Sequence, residues 1–150
     1  MWKTILVPHD FSACADHAAQ LARDLAKHHG ARLVLVHVAE MPAMLGPTAA
    51  VVPDEGGTPI GVRDYALRSA TAHLETLAAA LGAEGVPTTF VAVLGSAAHE
   101  IVAVAEREKA ELIVMGTHGR TGLAHLVVGS VAERVVRHAP VPVLTIRRPD

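Results

Sequence analysis

The sequence predicts a doubly wound α/β domain, an open parallel sheet with helices on both faces. Five short apolar runs, mostly β-branched, punctuate the chain at 3–8 ("KTILVP"), 32–38 ("RLVLVHV"), 89–94 ("TFVAVL"), 112–115 ("LIVM") and 141–146 ("VPVLTI"). They show little polar alternation, which marks strands covered on both faces. Helical periodicity fills the intervals between them. Regular alternation of strand and helix calls for right-handed crossovers and hence a parallel sheet.

Each element has a local signal. After the first strand a helix begins at Ser12, a suitable N-cap, and Cys14, Ala18, Leu21 and Leu25 recur at steps of four, three and four until Gly30 stops it. His28 and His29 suit the negative end of that helix. The second strand leads into 41–59, "MPAMLGPTAAVVPDEGGTP", whose four prolines and three glycines exclude one regular element and predict a long surface loop near the carboxyl edge of the sheet. A helix follows over 62–81, with Ala66, Ala70, Leu74, Leu77 and Leu81 as its apolar stripe, ending before Gly82 and Gly85. The third strand passes through Gly95 to a helix opening at Ser96 and running to about Lys109. The last helix is expected to open at Ser130, where "SVAE" has the capping-box pattern with Glu133, and to close before Pro140.

Composition narrows the function. A chain of 150 residues with 51% hydrophobic content has the size and apolar mass of one domain. A formal charge of −2 and 3% aromatics leave little for a polyanion-binding or base-stacking surface, so nucleic acid is disfavoured. Cys14 has no partner for an internal disulfide, which points to a reducing compartment. The opening "MWKTILVPHDF" is unlike a signal peptide, and no 18 apolar residues run together. The expectation is a cytoplasmic protein without a membrane segment.

Ligands of open α/β sheets sit beyond the carboxyl ends of the strands, where the strand order reverses. There the first strand ends in His9 and Asp10, the second in His37 and Val38, and the fourth in "GTHGRTGLAHLVVGS", residues 116–130. Gly116 and Gly119 would let the backbone turn and approach a ligand, while Gly129–Ser130 begins a helix whose free N–H groups favour anions. The plainer alternative is that these glycines only turn the chain and Ser130 only caps a helix. No G-x-x-x-x-G-K-[ST] loop occurs, and the glycine spacing is not the dinucleotide fingerprint G-x-G-x-x-G. Ten histidines invite a metal reading, but no chelating spacing supports one. Arg120 is placed either to meet outer phosphates or to sit solvated in the loop. Gly95–Ser96 repeats the strand, Gly-Ser, helix arrangement, either as a second cleft-facing helix start or as an ordinary cap.

The spacing Gly116-x2-Gly119-x9-Gly129-Ser130 resembles the nucleotide motif G-2x-G-9x-G-[S/T] of the universal stress protein family. "ILVPHDFS", "LVLVHV", "LIVMGTHG" and "PVPVLTIR" extend the likeness along the whole chain. The resemblance implies a Rossmann-like five-stranded sheet in order 3-2-1-4-5 and a subgroup that binds ATP or related adenine nucleotides, with or without Mg2+. It puts Asp10 near the ribose, Val38 against the adenine and Gly116, Gly119, Gly129 and Ser130 around the phosphates. Pro8, His9, Met115, His118, Arg120 and Val131 fall in the same stretches as further lining. For Asp10, capping of the first helix stands as an alternative or additional role. The resemblance also implies a homodimer through 141–147. The resulting functional expectation is a stress-response or signalling module whose dimer or loop state responds to nucleotide. The alternatives are a slow ATPase or autophosphorylating enzyme, assisted by His9, Asp10 or His118, and a nucleotide-independent partner-binding module.

Overall fold

The computed structural model describes residues 1–118 and 128–147. In chain order the elements are β1 (Thr4–Pro8), α1 (Ala13–His29), β2 (Arg32–Ala39), β3 (Ala50–Val51), β4 (Ile60–Gly61), α2 (Val62–Ala83), β5 (Thr88–Leu94), α3 (Ala97–Arg107), β6 (Leu112–Gly116), α4 (Ser130–His138) and β7 (Val143–Ile146). The main sheet has the order β5-β2-β1-β6-β7 and every pairing in it is parallel. Counting its five strands along the chain, this is the expected 3-2-1-4-5.

Alternation along each strand sends neighbouring side chains to opposite faces. Ile5, Val7, Leu33, Leu35, Leu112 and Val114 pack with α1 and α2, whereas Leu6, Val34, Val36, Ile113 and Met115 pack with α3 and α4. Both layers are aliphatic. All five residues of β1 are buried, as a central parallel strand between two helix layers requires. Pro8 is tolerated there because it ends the strand, and the carbonyl of its partner Val36 accepts instead from the next amide, His9 N–H, at 2.8 Å.

Ser12 caps α1 as expected, accepting from Ala15 N–H at 3.2 Å, and Gly30 ends it at φ +66. Four expectations need correction. Stretch 41–59 is not all loop: its Ala50–Val51 forms a two-residue antiparallel ladder with Ile60–Gly61. Gly82 does not stop α2, which continues to Ala83, because a single glycine inside a long, packed helix costs only about 1 kcal/mol. Residues 141–142 precede β7 rather than belonging to it, although Pro142 O still accepts from Ile113 N–H at 3.0 Å. The capping box at Ser130 does not form. Gly129 is the N-cap of α4, Ser130 is its first helical residue, and Glu133 instead pairs with Arg137 at 2.7 Å.

Candidate functional site

The order reverses between β1 and β6, and a cleft of about 180 Å³ opens beyond their carboxyl ends. Pro8, His9, Asp10, Val38, Met115, Gly116, His118, Gly129, Ser130 and Val131 all line it. Gly119 and Arg120 lie outside the described residues. The sequence reading missed Ile101 from α3 and Ala132 from α4, and with them Ala15, Val36, Ala97 and Thr117. The first two carry ordinary helix-core signals, so nothing local marks them as cleft residues.

The β1 wall is a tightly bonded turn. Asp10 Oδ1 accepts from Ser12 N–H at 3.1 Å, so Asp10 braces the turn while Ser12, and not Asp10, caps α1. Phe11 adopts φ +64, an unusual conformation for a bulky residue. Its ring lies 4.5 Å from His37, nearly parallel, and 5.0 Å from His73. His37 belongs to the strand positions facing α1 and α2, and its Nδ1–H donates to His9 O at 2.8 Å. His37 and His73 therefore pack against the turn from the side of α1 and α2. Among the described residues no group of three or more His, Cys, Asp or Glu is placed to hold a metal ion. Burial lowers the pKa of His9 below 6.5, partly opposed by the charges of Asp16 and Asp10.

The opposite wall is built from missing side chains. A Cβ on Gly116 would stand 2.6 Å from Cys14 Sγ, so Gly116, which lines the cleft, also makes room for the first turn of α1. A Cβ on Gly129 would stand 2.7 Å from Thr117 O, and Gly129 N–H donates to that same oxygen at 2.6 Å. Gly129 thus lets the start of α4 close onto the end of β6. Thr117 Oγ1 lies 2.9 Å from His118 Nδ1 on the same rim.

Helix α4 then begins at the cleft. Among the described residues no side chain caps it, and its first three residues, Ser130, Val131 and Ala132, all line the cavity. The amides of a first helical turn have no intrahelical acceptor and carry the positive end of the helix dipole, so this wall favours an anion. The α3 start, whose Ala97 also lines the cleft, differs. Ser96 makes no side-chain cap, and Glu40 Oε1 accepts from Ala97 N–H at 3.0 Å, placing a carboxylate there already.

An apolar floor from Val36, Val38, Ile101 and Met115, the Asp10 carboxylate and the start of α4 meet in a cleft at the switch point of a doubly wound sheet, and these define the class of protein. The universal stress protein family model matches residues 1–147, and the chain belongs to that family. A universal stress protein of Thermus aquaticus is 40% identical over 149 residues, covering 98% of this chain and 100% of its own. The solved structure of MJ0577, a universal stress protein of Methanocaldococcus jannaschii, superposes with a TM-score of 0.80 at 27% identity, covering 100% of this chain and 99% of that one. A universal stress protein solved in complex with cAMP has a TM-score of 0.62 at 25% identity, with 97% of each chain covered. Among the described residues no helix is long and apolar enough to cross a membrane.

Proposed function

We propose that this chain binds an adenine nucleotide, ATP or a close relative, with or without Mg2+, in the cleft between β1 and β6. The start of α4 at the cavity wall, which no described side chain caps, is the observation that carries the reading, because it supplies amides and dipole where phosphates need them. Asp10 serves the ribose hydroxyls and Val38 the base. Gly129, Ser130 and Val131 hold phosphates, Pro8, His9, Met115, Gly116 and His118 complete the lining, and Gly119 and Arg120 extend the phosphate side. The cAMP complex of a relative with the same fold supports the ligand class. Asp10 is the one carboxylate among the described lining residues. Efficient phosphoryl transfer needs metal-holding carboxylates and a positioned base, so binding is favoured over hydrolysis.

The cellular role that follows is a cytoplasmic stress-response or signalling module that responds to nucleotide. Strand β7 is the edge of the sheet and Leu144 is exposed, as is Val136 on α4, which supports a homodimer formed through 141–147. Light scattering at tens of micromolar should return twice the chain mass. Isothermal titration with ATP, with and without Mg2+, tests the binding: saturable heat is expected, and none at millimolar nucleotide would contradict it.

A further inference from the structure

His9 also makes contacts behind the cleft. Its ring is almost wholly buried, with 4% of the residue exposed. Phe11 N–H donates to Nδ1 at 3.1 Å, so Nδ1 is the acceptor and the ring hydrogen of the neutral imidazole belongs on Nε2. Nε2 faces Asp16 Oδ1 on α1 at 3.2 Å. That contact is short of an aligned hydrogen bond, and no other described group accepts from Nε2. The Asp16 carboxylate is therefore the acceptor within reach of Nε2–H. With 59% of its side chain exposed, it has room to rotate into line. The His9 main chain is fixed separately, its N–H to Val36 O and its carbonyl from His37 Nδ1–H, both at 2.8 Å.

Asp10 is held between these anchors and Phe11, whose left-handed backbone is strained for a non-glycine residue. Such a turn needs support from outside itself. The Nδ1 acceptor of His9 gives part of it, provided the ring keeps its hydrogen on Nε2. The other tautomer would set Nδ1–H against Phe11 N–H, two donors 3.1 Å apart.

We propose that Asp16 is a positioning residue for the nucleotide cleft: it holds His9 in the Nε2–H form, whose Nδ1 sets the turn that presents Asp10. Asp16 does not line the cleft and acts through His9. The proposal rests on the adenine-nucleotide reading, and its test separates the two. Long-range 1H–15N spectra of the His9 ring, the Phe11 amide resonance and ATP titrations are compared for the wild type, Asp16→Ala and Asp16→Asn. In the wild type His9 should show the Nε2–H pattern. Asp16→Ala should shift the His9 nitrogens toward the other tautomer, move the Phe11 amide and weaken ATP binding by about 5-fold, equivalent to about 1 kcal/mol. Asp16→Asn keeps an acceptor oxygen and should restore the tautomer and most of the affinity, a rescue that a general packing role would not give. Wild-type His9 nitrogens or wild-type affinity in Asp16→Ala would overturn the proposal. If the wild type binds no ATP, the nucleotide reading fails by itself. In that case unchanged His9 and Phe11 signals in Asp16→Ala still overturn the hold of Asp16 on the turn.

Discussion

Two helix starts with the same dipeptide have different fates. Gly95–Ser96 and Gly129–Ser130 each follow a strand of the sheet and lead into a helix. At α3 the Glu40 carboxylate, one residue past the end of β2, binds Ala97 N–H, so the protein fills that positive end itself. At α4 no described side chain caps the helix, and its first turn lines the cleft. The glycines differ as well. Gly95 is needed for its backbone, at φ +150, whereas Gly129 sits at an ordinary φ of −69 and is needed because Thr117 O is in the way of a Cβ. A Gly-Ser helix start is thus neutral about function, and the neighbouring strand end decides whether a ligand is wanted there.

Substitutions at the two starts test this difference. Gly129→Ala should be the most damaging, by about 3 kcal/mol, because the added Cβ meets a backbone oxygen that cannot rotate away. Gly95→Ala should cost about 2 kcal/mol from backbone strain, since the Cβ there meets only the flexible Glu100 side chain. Chemical denaturation of both variants gives the order, and the reverse order would break the comparison. Glu40→Ala should lose about 1 kcal/mol as a cap is removed, with no loss of ATP affinity at the other helix start. An equal loss of nucleotide binding would show that the two starts are not separate.

The smallest effect is on pH dependence. The folded pKa of His9 lies below 6.5, so between that value and 6.5 the unfolded chain holds the extra proton. Its contribution is therefore fully present above 6.5 and declines as pH falls through that window. The wild type should lose at most about 0.7 kcal/mol more than His9→Gln between pH 7 and pH 6. Asp10, Asp16, His37 and His73 face or border the ring and are common to both proteins. A wild type that gained stability on acidification relative to His9→Gln would reverse the assigned sign.

The strands and helices were legible because burial on both faces leaves unbroken β-branched runs, and the helices between them carry stripes and stops such as Ser12 and Gly30. The cleft was legible where it is made of strand ends. What the sequence hid depends on contacts between distant segments. Nothing near Gly116 in sequence shows that Cys14 packs against it. Nothing local marks Glu40 as the partner of Ala97, 57 positions away. Phe11, Asp16 and His73 meet around His9 from a turn and two helices, with no periodicity linking them. The N-cap of α4 was misplaced by one residue because "SVAE" satisfies the capping-box pattern, while Gly129, tied to Thr117 O, fixes the helix start first.

The central claim is that the open start of α4 receives phosphate and the β2 end receives the base. Backbone amide shifts recorded during parallel titrations with ATP and with adenosine test it most directly. The expected result is that both ligands move Val38, whereas only ATP moves Gly129, Ser130 and Val131 strongly. Equal shifts at 129–131 with the two ligands, or ATP shifts at Ala97 in place of Ser130, would contradict it.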